Sequence, residues 1–406
     1  MSLKIPRWAY ELGAILVTIF LFYVMGERLM RANGLALQSG NPVFGDFIAF
    51  WAAGKLALSG HPELVHHVPT IQAIQWEAVP GMTRVAGWNS PPQFLLIACV
   101  LALFSYPVAA LIWLIGTFAL FLYAASKFLH DKRALLFALT VPAAIYHIGS
   151  IQTGLWVAGM SGLALYYLDK KPIRAGAFIA MMAIKPHLAV FWPIYLALTG
   201  RWRAFGAAAA ASLLFAGAAA LAFGWEVFPR FLANLDHTSS LISDMRVSKA
   251  TFGSLFANLI AMGVPQLTAM IVHAISAVLA FAAAVFVWRR GDAAAQGAAL
   301  CAATLLASPY LFYYDYTLLA MGGAVLVWGG RPRDWFETLA LVFAWGAGLS
   351  LAIGVYQPVP LCPFSAWLLL IASLKRALSS APGAAHPSRK SPGQPRSDQS
   401  SLPATA

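Results

Sequence analysis

The chain is built from apolar runs long enough to cross a lipid bilayer. Residues 8–30, 204–223, 266–288 and 335–355 each approach the ~20 residues that a helix needs to span hydrocarbon. No water is available there to satisfy a backbone N–H or C=O, so such a segment must close its hydrogen bonds within itself, as a helix does. The expected fold is all-α and polytopic, with about 10–13 transmembrane or re-entrant helices. Composition agrees: 60% of residues are hydrophobic and 10% charged, against about 25% charge in a soluble domain.

The net charge of +12 raises the question of nucleic acid. The basic residues argue against it, because they fall in small groups between apolar runs: Lys132-Arg133, Lys170-Lys171 with Arg174, Arg201 with Arg203, Arg289-Arg290, Arg331 with Arg333, and Lys375-Arg376. That is how loops that set topology and touch anionic lipid are composed. Cys99, Cys301 and Cys362 lie in or beside apolar segments without ligand spacing, which argues against a disulfide framework or a zinc site.

Lys4 and Arg7 precede the first run, so the N-terminus is expected in the cytoplasm. The run is too long for the core of a signal peptide and no Ala-x-Ala follows it, so it reads as a retained span leading outward. Residues 31–90 then form a first outer loop, and 224–250 a second, which carries Asp236, His237, Asp244, Arg246 and Lys249. Ser90-Pro91-Pro92-Gln93 opens an expected second span that reaches Phe104. Residues 335–355 and 361–374 are the last two spans, joined by Gln357-Pro358-Val359-Pro360. Residues 1–376 read as a single membrane domain. The Ser-, Pro-, Gly- and Ala-rich stretch 377–406 reads as a disordered cytoplasmic tail.

Within this frame the first loop carries a stretch of particular interest, residues 45–55. Phe47, Phe50, Trp51, Gly54 and Leu58 share one face of a helix over 46–59, ended by Gly60 and Pro62. Asp46 stands at its start. Two roles are open there: a cap for the first turn, or a catalytic base at the mouth of a membrane-embedded site. His61, His66 and His67 in the same loop have no metal spacing and read as solvated.

Several apolar segments are short and end in polar tips. Residues 134–149 and 153–168 flank His147–Gly154; 175–184 and 188–198 flank Lys185-Pro186-His187; 293–307 and 316–328 flank Ser308–Tyr316. Broken helices with such tips border binding cavities in membrane proteins. An ionisable group in mid-membrane is a functional-site hypothesis by default, which singles out Lys185 and Asp315. Threading every segment as a full span gives about twelve crossings but puts Lys132-Arg133 and Lys170-Lys171 outside. Keeping them inside requires 134–168 and 175–199 to be re-entrant or broken pairs. The sequence leaves both arrangements open.

These stretches, in order, resemble glycosyltransferase family 87, of the GT-C superfamily, which includes polyprenyl-phosphate-mannose-dependent α-1,2-mannosyltransferases. The resemblance covers roughly residues 8–376. It rests on Asp46 with Phe50-Trp51 and Gly60-His61-Pro62; on Ser90-Pro91-Pro92 with Pro107 and Trp113; on Ile151-Gln152; on Ala175-Gly176, Ile184-Lys185-Pro186 and Arg201-Trp202-Arg203; and on Ser308-Pro309 with its aromatic tip. It implies a GT-C-type fold, a lipid-phosphate sugar donor, inverting transfer at the outer face of the cytoplasmic membrane, and Asp46 as base. Some members carry a His in the aromatic tip, where this chain has Tyr313, Tyr314 and Asp315.

The chemistry can be reasoned independently. An outer-face enzyme has no nucleotide sugar at hand, so its donor must be lipid-borne. A polyprenyl phosphate needs an apolar groove for its tail and a cation for its phosphate, which Lys185, with Arg84, would supply. Asp46 would take the proton of an acceptor hydroxyl. Asp315, Tyr313, Tyr314, Gln152 and His187 are the expected sugar or acceptor contacts. The expected partners are a polyprenyl-phosphate sugar, a glycolipid or glycan acceptor and membrane lipid, with no nucleic acid; neither a metal nor a cofactor is called for. The rival reading is a transporter or lipid-linked-sugar flippase, which would use broken helices and buried charges equally well. A polysaccharide polymerase or ligase is a further alternative.

Overall fold

A computed structural model describes residues 7–130, 132–243, 253–330, 332–349 and 361–379. Most of those residues are helical, and among them there is no strand beyond two isolated bridges in the first loop. The fold is all-α and polytopic.

The chain opens with α1 (Arg7–Met30), whose exposed side chains include Leu16, Ile19, Phe20 and Tyr23. The first loop folds into α2 (Phe47–Leu58) and α3 (Val68–Ala78). Next comes α4 (Phe94–Ala102), and this departs from expectation. Its nine residues rise only about 13 Å, at 1.5 Å each, so 90–104 is no span. Instead α4 packs on α2, where Gly54 lies so close to the Ala98 carbonyl that no Cβ would fit between them.

Pro107 in its first turn starts α5 (Tyr106–Ala125), one of four helices among the described residues long and apolar enough to cross a membrane alone. It begins beside the first loop, Tyr106 meeting Phe44 edge-on at 5.7 Å. It therefore ends at the far end, where Lys127 lies 3.9 Å over the Tyr123 ring. The chain returns through α6 (Lys132–Thr140) and α7 (Pro142–Ser150). Pro142 has no N–H for the helix ladder, and the pair bends there by 53°. This broken span finishes back at the first loop, because the Asp46 N–H donates to the Ser150 carbonyl at 3.0 Å. Then α8 (Gly154–Tyr167) runs away again toward Lys170, which sits 4.6 Å from the Tyr166 ring. Lys127 and Lys170 thus share one end of the bundle.

The next element settles the other open arrangement. Helix α9 (Pro172–Ala180) continues as a 3-10 turn to Ile184, breaks at Lys185-Pro186, and returns through α10 (Trp192–Leu198). Arg201, just past the returning arm, bonds Asp169, just before the rising arm, at 2.8 and 3.3 Å. Both arms therefore meet at the same end, and 172–198 is a re-entrant hairpin with Lys185 at its tip. It is backed by α11 (Trp202–Phe223), a candidate span whose Ala207 and Ala208 crowd against Gly176.

Within the expected second loop, 224–250, the described part carries the helix α12 (Val227–Ser243), and the short α13 (Leu255–Ala261) follows. The side chains of Asp236 and His237, and residues Asp244, Arg246 and Lys249, fall outside the described residues, as do Gln357–Pro360 and the tail beyond Ser379. The remaining helices are α14 (Gln266–Arg290), α15 (Ala293–Ala307), α16 (Thr317–Trp328), α17 (Trp335–Gly346) and α18 (Leu361–Ser379). Asp292 and Asp334 cap α15 and α17, each accepting a backbone N–H at 2.8 Å. Helices α15 and α16 are nearly all buried.

Polar pairs hold the end opposite Asp46. Arg376 forms a buried ion pair with Glu337 and donates to the Leu326 carbonyl at 2.8 Å, Lys375 meets Asp334 at 2.7 Å, and Arg201 reaches Gln296 at 3.1 Å. At the Asp46 end a separate aromatic core joins loop to bundle. Phe50 packs edge-on to Phe94 at 4.8 Å, Trp88 stacks on Phe94, and Trp113 stacks on Trp156 at 5.3 Å.

Candidate active site

The site forms where three polar tips converge on the start of α2. Gly45 makes the turn into that helix with φ +55°, a conformation costly for any residue with a Cβ, and its backbone lies directly against Gly149 and Ser150. Asp46 follows. Its side chain makes no capping bond, and its backbone (φ −71°, ψ −6°) is already helical rather than extended, as a capping residue's usually is. The carboxylate is spent elsewhere: Oδ2 accepts from Gln152 Nε2 at 2.9 Å.

Gln152 is held from both sides. Before it, Ile151 ends α7 in the left-handed region (φ 42°, ψ 56°), the one non-glycine residue there among those described. A β-branched residue with that backbone is strained, and such strain persists where the surroundings over-determine it. Here the Ile151 N–H bonds the His147 carbonyl at 2.7 Å, and Trp113 Nε1 donates to the Gln152 carbonyl at 3.2 Å. Trp156, stacked on Trp113, donates to the Met181 carbonyl at 2.9 Å, and Gln93 to the Ala183 carbonyl at 3.0 Å. Two tryptophans and one glutamine thus hold both the Gln152 turn and the approach to Lys185.

The Lys185 ammonium meets Asp315 Oδ1 at 2.5 Å and sits 4.7 Å from the Tyr314 ring. Asp315 is 0% exposed and Lys185 13%. The other Asp315 oxygen accepts from the Phe312 N–H at 3.0 Å, closing the 3-10 turn Tyr313–Tyr316. That turn is seated on α8 at Gly154, where no Cβ would fit beneath the Tyr314 carbonyl. Of the two partners that an ammonium buried here could have, a ligand anion or a protein carboxylate, the protein supplies the second. An ammonium has three N–H donors, so the Asp315 bond leaves capacity for an anion.

Asp46 and Lys185 lie within electrostatic reach of each other. Asp46 is open to solvent, yet protein crowds around it. Loss of hydration raises its carboxyl pKa above the usual Asp value, and the Gln152 hydrogen bond and then the Lys185 charge partly oppose that rise. The result is a carboxylate with one oxygen anchored, near a cation.

The other expected contacts are distributed unevenly. Tyr313 is half-buried, and Tyr146 on α7 meets its ring edge-on at 5.6 Å. Tyr314 is buried under Lys185. His187 is exposed two residues past Lys185. Arg84 is exposed in the loop before α4, and no hydrogen bond or ion pair joins it to Asp46, Lys185 or Asp315 among the described residues. In the first loop, His66 bonds the Trp88 carbonyl at 3.1 Å, His67 the Thr70 hydroxyl at 2.7 Å, and His61 lies 3.3 Å from Glu63. Sequence reasoning missed the supporting roles of Trp113, Trp156 and Gln93. The signal for Trp113 and Trp156 was a polar N–H in a largely apolar segment, which must find a partner.

The profile of glycosyltransferase family 87 matches residues 88–309, more than half of the chain. The chain belongs to glycosyltransferase family 87. The protein is accordingly a membrane glycosyltransferase. No curated protein and no solved structure matches it. The family match contains Gln93, Trp113, Gln152 and Lys185, while Asp46 and Asp315 lie beyond its two ends. The fold brings both carboxylates onto residues inside the match, one on Gln152 and one on Lys185.

Proposed function

We propose that this glycosyltransferase moves a hexose, mannose in the first instance, from a polyprenyl-phosphate sugar to a hydroxyl of a glycolipid or glycan, with inversion. The observation that carries the reading is the Asp46 carboxylate: accessible, free of any capping bond, anchored by Gln152 and close to the Lys185 ammonium. In the proposed reaction Asp46 takes the acceptor's hydroxyl proton as that oxygen attacks the anomeric carbon. The bond from that carbon to the phosphate oxygen breaks, and the electron pair leaves with the lipid phosphate. Negative charge grows there, and a preorganised ammonium at Lys185 stabilises it. Asp315 holds Lys185 in place and keeps its charge affordable in a nonpolar setting.

The same arrangement supports a site on the outer side of the cytoplasmic membrane. Lys127, Lys170, Arg201, Lys375 and Arg376 gather at the end opposite Asp46, and basic loops face the cytoplasm.

The test is transfer by the full-length protein in lipid nanodiscs, with a panel of polyprenyl-phosphate hexoses and mixed membrane glycolipids as acceptors. Product of inverted anomeric configuration is expected from one donor, and loss of about 10²-fold or more in Asp46→Asn. Wild-type protein that transfers nothing from any lipid-phosphate donor would overturn the proposal.

A further inference from the structure

His147 is a fully enclosed imidazole whose two ring nitrogens have no hydrogen-bond partner among the described residues. A neutral imidazole carries one donor and one acceptor, and enclosing both unpaired is costly. Its neighbours in the site are treated differently. Asp315 is paired twice, Gln152 is bonded at side chain and carbonyl, and the Thr317 hydroxyl donates to the Tyr314 carbonyl at 2.9 Å. A native fold that keeps an orphaned polar ring beside a satisfied network keeps it against its own stability, and such conflicts mark functional positions.

The place of the ring says what it would serve. It follows Tyr146, which packs on Tyr313 of the aromatic tip, and lies within electrostatic reach of Lys185. One turn on, the chain reaches Gln152 and Asp46. His147 therefore belongs to the end of α7 that meets the tip and leads, through the Ile151 N–H bonded to its carbonyl at 2.7 Å, into the Gln152 turn. We propose that His147 is a specificity residue that pairs with a hydroxyl of the donor sugar, close to its phosphate. A phosphate only accepts and would use one ring nitrogen. Adjacent sugar hydroxyls both donate and accept, which matches the unfilled pair. The ring is buried, so on this proposal the sugar reaches it after a neighbouring side chain moves aside. This assignment rests on the lipid-phosphate donor proposed above.

Two variants test it in nanodiscs, with thermal unfolding and transfer kinetics measured on the same preparations. His147→Leu is close in volume and has no polar atom; His147→Gln keeps a donor and an acceptor. Leu should unfold at the wild-type temperature or above, because it removes the orphaned groups, while kcat/KM for the donor falls about tenfold or more. Gln should recover part of that loss. Donors lacking one hydroxyl at a time supply the decisive arm: one deoxy sugar should cost wild type about tenfold and cost His147→Leu nothing further. Wild-type kinetics in His147→Leu would overturn the assignment. So would a Leu variant that fails to fold while Gln folds normally, since the polar atoms would then be used within the protein. Wild-type protein inactive with every lipid-phosphate donor would sink the donor reading, and this assignment with it; normal wild-type transfer with an indifferent Leu variant would sink the assignment alone.

Discussion

Gln152 donates its side-chain amide to Asp46 across 106 positions of sequence, at 2.9 Å, while Trp113 holds its backbone carbonyl. The bond favours the ionised carboxylate and so opposes the rise in pKa that crowding causes. Gln152→Leu removes that opposition, so the Asp46 pKa rises further. As the proposed base, Asp46 must be deprotonated to work, so the acid limb of the kcat/KM profile should move to higher pH in Gln152→Leu. An unshifted limb with lower turnover throughout would mean that Gln152 only orients Asp46.

Asp46→Asn gives a prediction in which activity and stability part company. The folded-state pKa of Asp46 lies above its ordinary value of 3.8. Below 3.8 the group is protonated in folded and unfolded chain alike. As pH rises through the folded value, the unfolded chain gives up the proton more readily, and stability is lost. At neutral pH the wild type therefore carries a destabilising charge that asparagine lacks. Asp46→Asn should unfold at an equal or higher temperature while turnover falls about 10²-fold or more. A marked drop in unfolding temperature would return Asp46 to a structural role.

The Lys185–Asp315 pair predicts a compensating double variant. Lys185→Met leaves a carboxylate of 0% exposure without its cation, and breaking such a pair costs about 3–5 kcal/mol. Asp315→Asn in that background removes the stranded charge and keeps an acceptor for the Phe312 N–H. Thermal unfolding should show the single variant strongly destabilised and Lys185→Met/Asp315→Asn substantially restored. Neither should turn over normally, because in the proposed mechanism the leaving phosphate has lost its cation. Independent, additive losses of stability in the two single variants would mean that the pair is not coupled.

The sequence was informative wherever a residue conflicted with its local surroundings. Lys185 beside Pro186 in an apolar run signalled a broken membrane segment, and the structure has a re-entrant hairpin turning there. Asp315 in an aromatic tip signalled a buried charge, and it is buried. Composition and run length alone sufficed for the all-α membrane fold. What stayed illegible depended on pairings. The Arg201–Asp169 bond decides that 172–198 returns to its own end, and nothing in either residue's local sequence names the other. The expected span over 90–104 failed because hydropathy cannot tell a short helix packed on protein from one facing lipid; Gly54 against Ala98 makes that packing possible. His147 is one apolar-flanked histidine by sequence, and its lack of partners is visible only in three dimensions.

Gly154 carries the last prediction. It is the first residue of α8, immediately below the Tyr314 carbonyl, and a Cβ there would strike that backbone rather than a movable side chain. The Tyr314 carbonyl also accepts from Thr317, so it cannot yield without disturbing the turn that carries Asp315. Alanine at 154 should therefore push the aromatic tip away from α8, lengthen the Lys185–Asp315 contact and cost about 1–3 kcal/mol. Gly217 on α11 provides the contrast, because a Cβ there meets open space. Alanine suits a helix interior better than glycine by up to about 1 kcal/mol, so Gly217→Ala should be neutral or stabilising. Thermal unfolding and transfer rates of the two variants form the comparison: Gly154→Ala should lose both stability and turnover, and Gly217→Ala neither. If Gly154→Ala behaves like Gly217→Ala, the tip is not seated on α8 as closely as this contact requires.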